Sequence, residues 1–447
     1  RANRTVNTLC TDQNIIAAKH CHQSIYQKIM LVFKFGGASV KDAAGVINLS
    51  NIVKKYTGEQ LLIVISAMGK TTNALEKLTR AYVEGSDDLD DIFTEIKDYH
   101  YNIAKDLFEP NHPVFNDIAN TFVEIDWTIE DEPHDDYDFI YDQIVSIGEL
   151  VSTRIVAAYL NQAGLKTQWV DARGYIHTDN NYREGNVDWI KTKITISQDI
   201  PKLLDKGIVL TQGFLGGTSE NFTTTLGREG SDYTASIFAS CLQVESVTTW
   251  KDVPGILNAD PKFFSDTIKF DTLTYTEAIE MTFYGASVIH PKTIKPLQNA
   301  KIPLLVKSFN DPDAVGTIIS ESADTVFVKP VIILKQNQVL LSISAKDYSF
   351  ISEDHLSEIF GLFAQNQVKV NIMQTSALSF SVCFDLKPER FGKLLASLEP
   401  NFKVKYNDGI TLFTVRHYKL GALRELVADK VVLLEQVSRN TAQMVVK

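Results

Sequence analysis

Two short glycine-bearing motifs carry the residues best suited to chemistry. Near the start, Lys34-Phe35-Gly36-Gly37-Ala38-Ser39 follows an apolar run (residues 30–33) that reads as a buried strand, and a helical pattern opens at Lys41. A lysine followed by paired glycines lets backbone N–H groups approach an anion closely, and the dipole of the following helix start adds to the attraction. Near the middle, Thr224-Thr225-Leu226-Gly227-Arg228-Glu229-Gly230-Ser231-Asp232 repeats the arrangement, with a strand at 208–210 before it and a helix from Ser231 after it. Two such helix starts bearing a Lys, an Arg and an Asp suit one site that handles a polyphosphate and a small anionic acceptor. Taken alone, each motif reads more simply as a tight turn. Neither is the Gly-x-x-x-x-Gly-Lys-Ser/Thr loop of P-loop enzymes, and no Gly-x-Gly-x-x-Gly opens a dinucleotide fold.

The elements that must position these residues alternate strand and helix. After the first strand, apolar runs at 61–65, 167–171, 208–210, 246–250 and 303–306 are near-continuous, as expected of strands covered on both faces. The fold class read from this is α/β: an α/β/α sandwich with a mainly parallel sheet. Ligands of such sheets collect at the carboxyl ends of the strands, where Lys34, Ser66 and Gly213 all fall. An acidic stretch at 84–142 with Trp127 reads as an all-helical insert with solvated faces. Past about residue 330 the rhythm becomes strand 339–343, helix 354–366, strands 368–375 and 379–385, helix 389–398 and strand 403–406, a βαββαβ unit. A weaker copy follows at 410–415, 422–427, 431–436 and 443–446, and Val370-x-x-x-Gln374-x-Ser376 recurs as Val432-x-x-x-Gln436-x-Ser438. The copy stops after its third strand and so has an edge to borrow. The domain reading is 1–29 as an extension, 30–328 as the catalytic part, and 329–447 as two units (about 331–408 and 409–447).

Composition sets the outer bounds. The chain has 447 residues, 44% hydrophobic and 22% charged, enough for two or three domains with large cores. A net charge of −11 without a dense Lys/Arg stripe excludes a nucleic-acid surface. No unbroken run of about 18 apolar residues marks a membrane span. Four scattered cysteines, Cys10, Cys21, Cys241 and Cys383, suit a reducing cytoplasm. Residues 1–29 precede Met30 and show no signal-peptide pattern; they are expected to be upstream sequence without function. His20-Cys21-His22 cannot close around one ion and has no second ligand pair, so no protein metal site is expected.

Eight ordered blocks across residues 30–320 together resemble the aspartate kinases of the amino-acid kinase superfamily. They are Lys34 to Val40, Val64 to Asn73, Ser146 to Ser152, Thr211 to Phe214, Gly227 to Asp232, Lys251 to Ile256, Ala259 to Pro261, and Gly285 to Pro291. The C-terminal repeat resembles the paired ACT domains that end those enzymes. The resemblance implies ATP-dependent phosphorylation of the L-aspartate side chain to 4-phospho-L-aspartate, the first step toward lysine, threonine and methionine. It also implies a homodimer, or a dimer of dimers, joined after Val331.

On that resemblance, Lys34 is the cation at the transferred phosphoryl group and Asp232 orients it. Gly36 and Gly37 supply N–H donors, with Ser39 beside them. Lys251, Asp252, Asp260 and Lys262 line the nucleotide pocket. Mg²⁺ is expected on the ATP phosphates and water rather than in a protein cage. Arg228 pairs with the acceptor's α-carboxylate, a task its planar fork suits, and Glu149 takes the α-ammonium. Ser66, Thr72 and Ser231 hydrogen-bond the acceptor. No general base is needed, because a carboxylate with pKa about 3.9 is already ionised at neutral pH. The obstacle is electrostatic, and phosphoryl transfer is catalysed by positioning and charge neutralisation.

Three departures stand out. Glu229 replaces a glycine of Gly-Arg-Gly-Gly-Ser-Asp, Ser287 stands where relatives often have Lys, and Leu257 where some have Tyr; each bears on nucleotide affinity. At the effector pocket, Asp354, Asn371 and Ala377 stand where lysine-inhibited relatives place Gly, Asp and Glu. With Ser352, Gln374, Thr375 and Ser376, the set suits a small neutral effector such as threonine, or none, better than lysine.

Overall fold

The computed structural model describes residues 29–447 except 287–288, 323–326, 328 and 348. Cys10, Cys21, the His20–His22 cluster and Ser287 therefore lie outside the described residues.

The chain opens with β1 (Met30–Phe35), α1 (Ala43–Lys54), β2 (Gln60–Ile65) and α2 (Thr71–Glu84). A helical insert follows: α3 (Leu89–Leu107) and α4 (Val114–Glu130), leading into the long α5 (Tyr137–Gln162). Then come β3 (Thr167–Val170), α6 (Trp189–Leu204), β4 (Ile208–Gln212) and a small hairpin of β5 (Leu215–Gly217) and β6 (Thr223–Thr225). The first half ends with α7 (Gly230–Leu242), β7 (Ser246–Lys251), β8 (Thr272–Thr274), α8 (Tyr275–Phe283), α9 (Pro291–Ala300), β9 (Leu304–Ser308) and β10 (Thr317–Ser320). Its eight-stranded sheet runs β3-β4-β2-β1-β7-β9-β10-β8 and is parallel except where β10 meets β9.

Alternation along β1 shows why both faces must be covered. Phe33 and Phe35 point into a core built with α1 to α5, whereas Val32 points into a second core built with α6 to α9. The expected sandwich is present. The hairpin and the short β8 and β10 escaped the sequence reading because three- and four-residue strands carry no periodicity. Among the described helices, α5 alone has the length and composition of a membrane span. However, 78% of that stretch is buried inside the protein, and Asp142 and Glu149 interrupt it.

The C-terminal half contains β11 (Val331–Ala345), α10 (Glu353–Gln365), β12 (Val370–Thr375), β13 (Phe380–Asp385), α11 (Pro388–Leu398), β14 (Phe402–Arg416), α12 (Leu420–Leu426), β15 (Val432–Val437) and β16 (Thr441–Val446). One six-stranded antiparallel sheet, β12-β13-β11-β14-β16-β15, carries them all. This revises the division of the region into successive units at residue 408. Strands expected at 403–406 and 410–415 are one fifteen-residue strand, β14, and β11 begins eight residues before the expected 339. Val331–Lys335 pairs with Leu412–Arg416, and Gln338–Ala345 pairs with the earlier part of β14. The second unit thus takes its missing strand from the front of β11. A register shift between Lys335 and Gln338 marks the junction.

Candidate active site

The site forms where β1, β2 and β4 end and α2, α5 and α7 pass. Lys34 is the penultimate residue of β1 and Asp232 lies in the first turn of α7. Their side chains are buried and meet at 3.0 Å (Lys34 Nζ to Asp232 Oδ1). That oxygen lacks the geometry of a full hydrogen bond, so a lone pair stays open. Burial by itself raises the Asp232 carboxyl, but Lys34 and Lys251 outweigh it and hold the group below the usual range. Gly36 sits above the lysine: a Cβ there would lie 3.6 Å from Nζ. At Gly37 a Cβ would come within 2.6 Å of the Ala67 carbonyl, so only glycine lets the two strand-end loops touch. The Gly69 N–H donates to the Gly37 carbonyl at 3.0 Å and locks them together. Ser39 follows, buried in a short 3₁₀ turn.

Glu149 lies in the middle of α5, fully enclosed. Its neighbour Gly148 explains how: a Cβ there would meet Leu75 at 2.9 Å and Thr71 at 3.0 Å, so glycine lets α2 and the 66–72 loop press against α5. Ser152 Oγ donates to the Ser66 carbonyl at 2.7 Å from the same helix. Burial pushes the Glu149 carboxyl up to about 8, against the Ala67 N–H and nearby Lys34, which pull it down. Its Oε2 is buried without a hydrogen-bond partner among the described residues. An unpaired buried carboxylate is costly, and this one faces a cavity.

That cavity, about 740 Å³, is lined by Lys34, Ser66, Thr72, Glu149, Arg228, Ser231 and Asp232. The two proposed catalytic residues and all five acceptor candidates therefore share one space. The end of β4 and the start of α7, joined through the β5–β6 hairpin, approach closely: a Cβ on Gly213 would fall 2.3 Å from the Ser231 Cβ. Glu229, the departure from glycine, adopts φ 55°, costing about 1 kcal/mol for a side chain in left-handed backbone. It also lines the cavity with a buried, unpaired Oε2, so it adds negative charge beside Arg228.

Sequence reasoning missed Asp142, two turns before Glu149 on α5. Its Oδ2 accepts from the N–H groups of Arg183 (2.8 Å) and Thr225 (2.9 Å), and its Oδ1 from the Thr225 hydroxyl (2.7 Å). Burial raises this carboxyl to about 6 despite those donors. Asp142 fixes the loop that carries Arg183 into the cavity in left-handed backbone (φ 66°). The signal was present as an acid seven residues before Glu149 on one helix, at the end of a stretch read as solvated.

The nucleotide candidates lie elsewhere. Lys251 closes β7 beside β1, near enough to act on Asp232. Asp252, Asp260 and Lys262 are exposed, and the Lys262 N–H donates to Asp260 Oδ1 at 2.9 Å in a turn. None of these four lines the cavity.

The effector candidates divide into two groups. Ser352 caps α10, accepting from the His355 N–H at 3.4 Å, and Asp354 follows, exposed. A hydrogen bond from Ile351 N–H to the Ala377 carbonyl (3.1 Å) brings that loop beside Thr375 and Ser376. Gln374 is exposed on β12. Asn371, at the start of β12, is already engaged: Lys335 Nζ donates to its Oδ1 at 2.8 Å, and its Nδ2 donates to Gln338 Oε1 at 2.7 Å.

A sequence profile described as the amino acid kinase family matches residues 30–308. Lysine-sensitive aspartokinase 3 of Escherichia coli is 32% identical over 359 residues, 80% of this chain and 78% of that protein. Aspartokinase 1, chloroplastic, of Arabidopsis thaliana is 32% identical over 383 residues, 80% of this chain and 63% of that protein. The crystal structure of E. coli aspartokinase III with aspartate and ADP superposes with a TM-score of 0.78 at 28% identity, covering 93% of this chain and 96% of that one. The same enzyme with lysine and aspartate gives 0.79 at 27% identity, covering 93% and 95%.

Proposed function

The chain belongs to the aspartokinases of the amino acid kinase family, and from that premise we propose that it transfers the γ-phosphoryl group of ATP to the side-chain carboxylate of L-aspartate. The observation that carries this reading is one cavity holding the Lys34–Asp232 pair, the Arg228 guanidinium and a buried Glu149 with an unpaired oxygen. An amino acid's α-ammonium supplies the partner Glu149 lacks, and Arg228 meets its α-carboxylate. Ser66, Thr72 and Ser231 hold the remaining polar edges. The attacking carboxylate arrives ionised, so the protein's work is to neutralise charge where two anions meet. Lys34, kept in place by Asp232, stands at the transferred group with the N–H donors of Gly36 and Gly37. Lys251, Asp252, Asp260 and Lys262 form the nucleotide side. Mg²⁺ enters as part of the nucleotide substrate, on its phosphates.

ATP-dependent hydroxamate formation with L-aspartate, L-glutamate and N-acetyl-L-glutamate tests the reading. Aspartate is the preferred acceptor by at least about 100-fold, because N-acetylation removes the charge Glu149 needs and one extra methylene misplaces the attacking oxygen. Comparable rates with glutamate or its N-acetyl derivative overturn it.

The C-terminal sheet is the regulatory and assembly half of the same reading. It has the βαββαβ order of ACT units, and two copies join into a homodimer or a dimer of dimers through its exposed edge residues, among them Met373 and Val437. Lysine feedback is weak or absent, because Asn371 offers no charge, its oxygen is taken by Lys335, and Ala377 offers no polar group. Free, buried Cys241 and Cys383 suit a reducing cytoplasm.

A further inference from the structure

Two residues of the C-terminal sheet domain reach the catalytic cavity. Gln367, in the turn between α10 and β12, and Arg390, in the first turn of α11, both line it. Neither lies near them by chance of a loose tail. Arg390 Nη1 donates to the Gln367 carbonyl at 3.0 Å, and Gln367 adopts φ 52°, a conformation that carries a cost in a non-glycine residue. The domain is also pinned to the catalytic half. Arg416 on β14 makes a buried fork to Glu277 on α8 (2.8 and 2.9 Å) and reaches Glu280 at 2.8 Å. Lys335 packs on Gly285 so closely that a Cβ there would lie 2.4 Å from its Cε.

Charge decides what Arg390 is for. Of the cavity's four cations, Lys34 is paired with Asp232 at 3.0 Å and Arg183 with Asp138 at 3.2 Å, while Arg228 and Arg390 have no ion pair among the described residues. Arg390 bonds only a carbonyl oxygen among the described residues, which leaves most of its donors and its whole charge open to the cavity. Arg228 and Glu149 line the same cavity as Arg390, whereas Lys251 and Asp260 do not. An uncompensated guanidinium there matches a carboxylate of the acceptor.

We propose that Arg390 is an acceptor-binding residue supplied by the regulatory half: its guanidinium contacts a carboxylate of the bound amino acid, so that acceptor affinity depends on how the regulatory sheet sits against the catalytic domain. The inference rests on the aspartate-kinase reading. The test is steady-state kinetics of the full-length enzyme and its Arg390→Gln and Arg390→Lys variants, with aspartate and MgATP varied in turn and thermal melts as a folding control. Arg390→Gln raises the aspartate KM about five- to tenfold, leaves kcat and the MgATP KM within about twofold, and Arg390→Lys recovers part of the loss. An aspartate KM unchanged within about twofold in both variants, or an equal rise in the MgATP KM, overturns the proposal. Should Arg390→Gln melt early, the Arg390→Lys variant alone decides it by the same criterion. Wild-type enzyme that turns over no aspartate refutes the parent reading instead, so the two failures are distinct.

Discussion

Replacing Glu149 by Gln separates the two consequences of burying a carboxylate beside an empty pocket. In the substrate-free enzyme this group is pushed from 4.5 up to about 8. At 1.36 kcal/mol per decade, that displacement disfavours the charged form by on the order of 5 kcal/mol. The sign follows from proton binding: between about 4.5 and 8 the folded state holds a proton that the unfolded chain has lost, so folded stability declines as pH rises through that window. Glu149→Gln removes this slope. At pH 8.5 the variant is more stable than the wild type by about 2 kcal/mol, once the unpaired amide N–H₂ is set against the gain. Activity moves the other way. Loss of a charge-assisted bond to the acceptor's ammonium costs about 2–3 kcal/mol, roughly 30- to 150-fold in kcat/KM for aspartate. The wild-type aspartate KM also falls as pH rises toward 8, because below it the ammonium must first displace a proton; the variant shows no such dependence. Denaturant melts across pH 5–9 and hydroxamate kinetics over the same range read both effects. A variant with kcat/KM within threefold of wild type shows that Glu149 does not bind the ammonium, and one less stable at pH 8.5 shows that its burial is not the cost assigned to it.

Gly213→Ala drives a methyl group into Ser231, whose Cβ would lie 2.3 Å away, and displaces the start of α7 with Asp232; kcat falls at least about tenfold in initial-rate assays. Glu229→Gly relieves left-handed strain and removes an anion from the cavity, so the melting temperature rises and the aspartate KM falls two- to fivefold by about the same assays. Arg416→Met leaves Glu277 buried without its fork and destabilises the fold by about 3–5 kcal/mol in denaturant melts. The full chain sediments as a dimer, and Met373→Asp with Val437→Asp on the exposed edges shifts it toward monomer. Titrating lysine and threonine against initial rate shows no half-inhibition by lysine below 1 mM.

What the sequence disclosed follows from which physics is local. A strand end with Lys34, Gly36 and Gly37 bears its chemistry in nearly consecutive residues, and the apolar strands of a sheet covered on both faces are legible as runs. Asp142 was hidden, because its partners Arg183 and Thr225 lie 41 and 83 residues away in sequence and nothing local marks them. Arg390 was hidden more deeply, since only the docking of two domains brings it to the cavity. In the C-terminal sheet the gap between strands at 403–406 and 410–415 is part of β14, which pairs with β11 on both sides of a register shift at 407–410 and with β16 only from Thr411 onward. Pairing with β11 carries the strand past that local irregularity.

Lys34, held by Asp232, is the residue proposed to carry the phosphoryl transfer to aspartate. The direct measurement is ATP-dependent aspartyl hydroxamate formation by Lys34→Ala beside wild type, with near-ultraviolet circular dichroism on both. Loss of that cation costs several kcal/mol of transition-state stabilisation, so kcat drops by about 10³-fold or more while the folded spectrum persists. A folded Lys34→Ala enzyme with wild-type kcat removes Lys34 from the phosphoryl transfer.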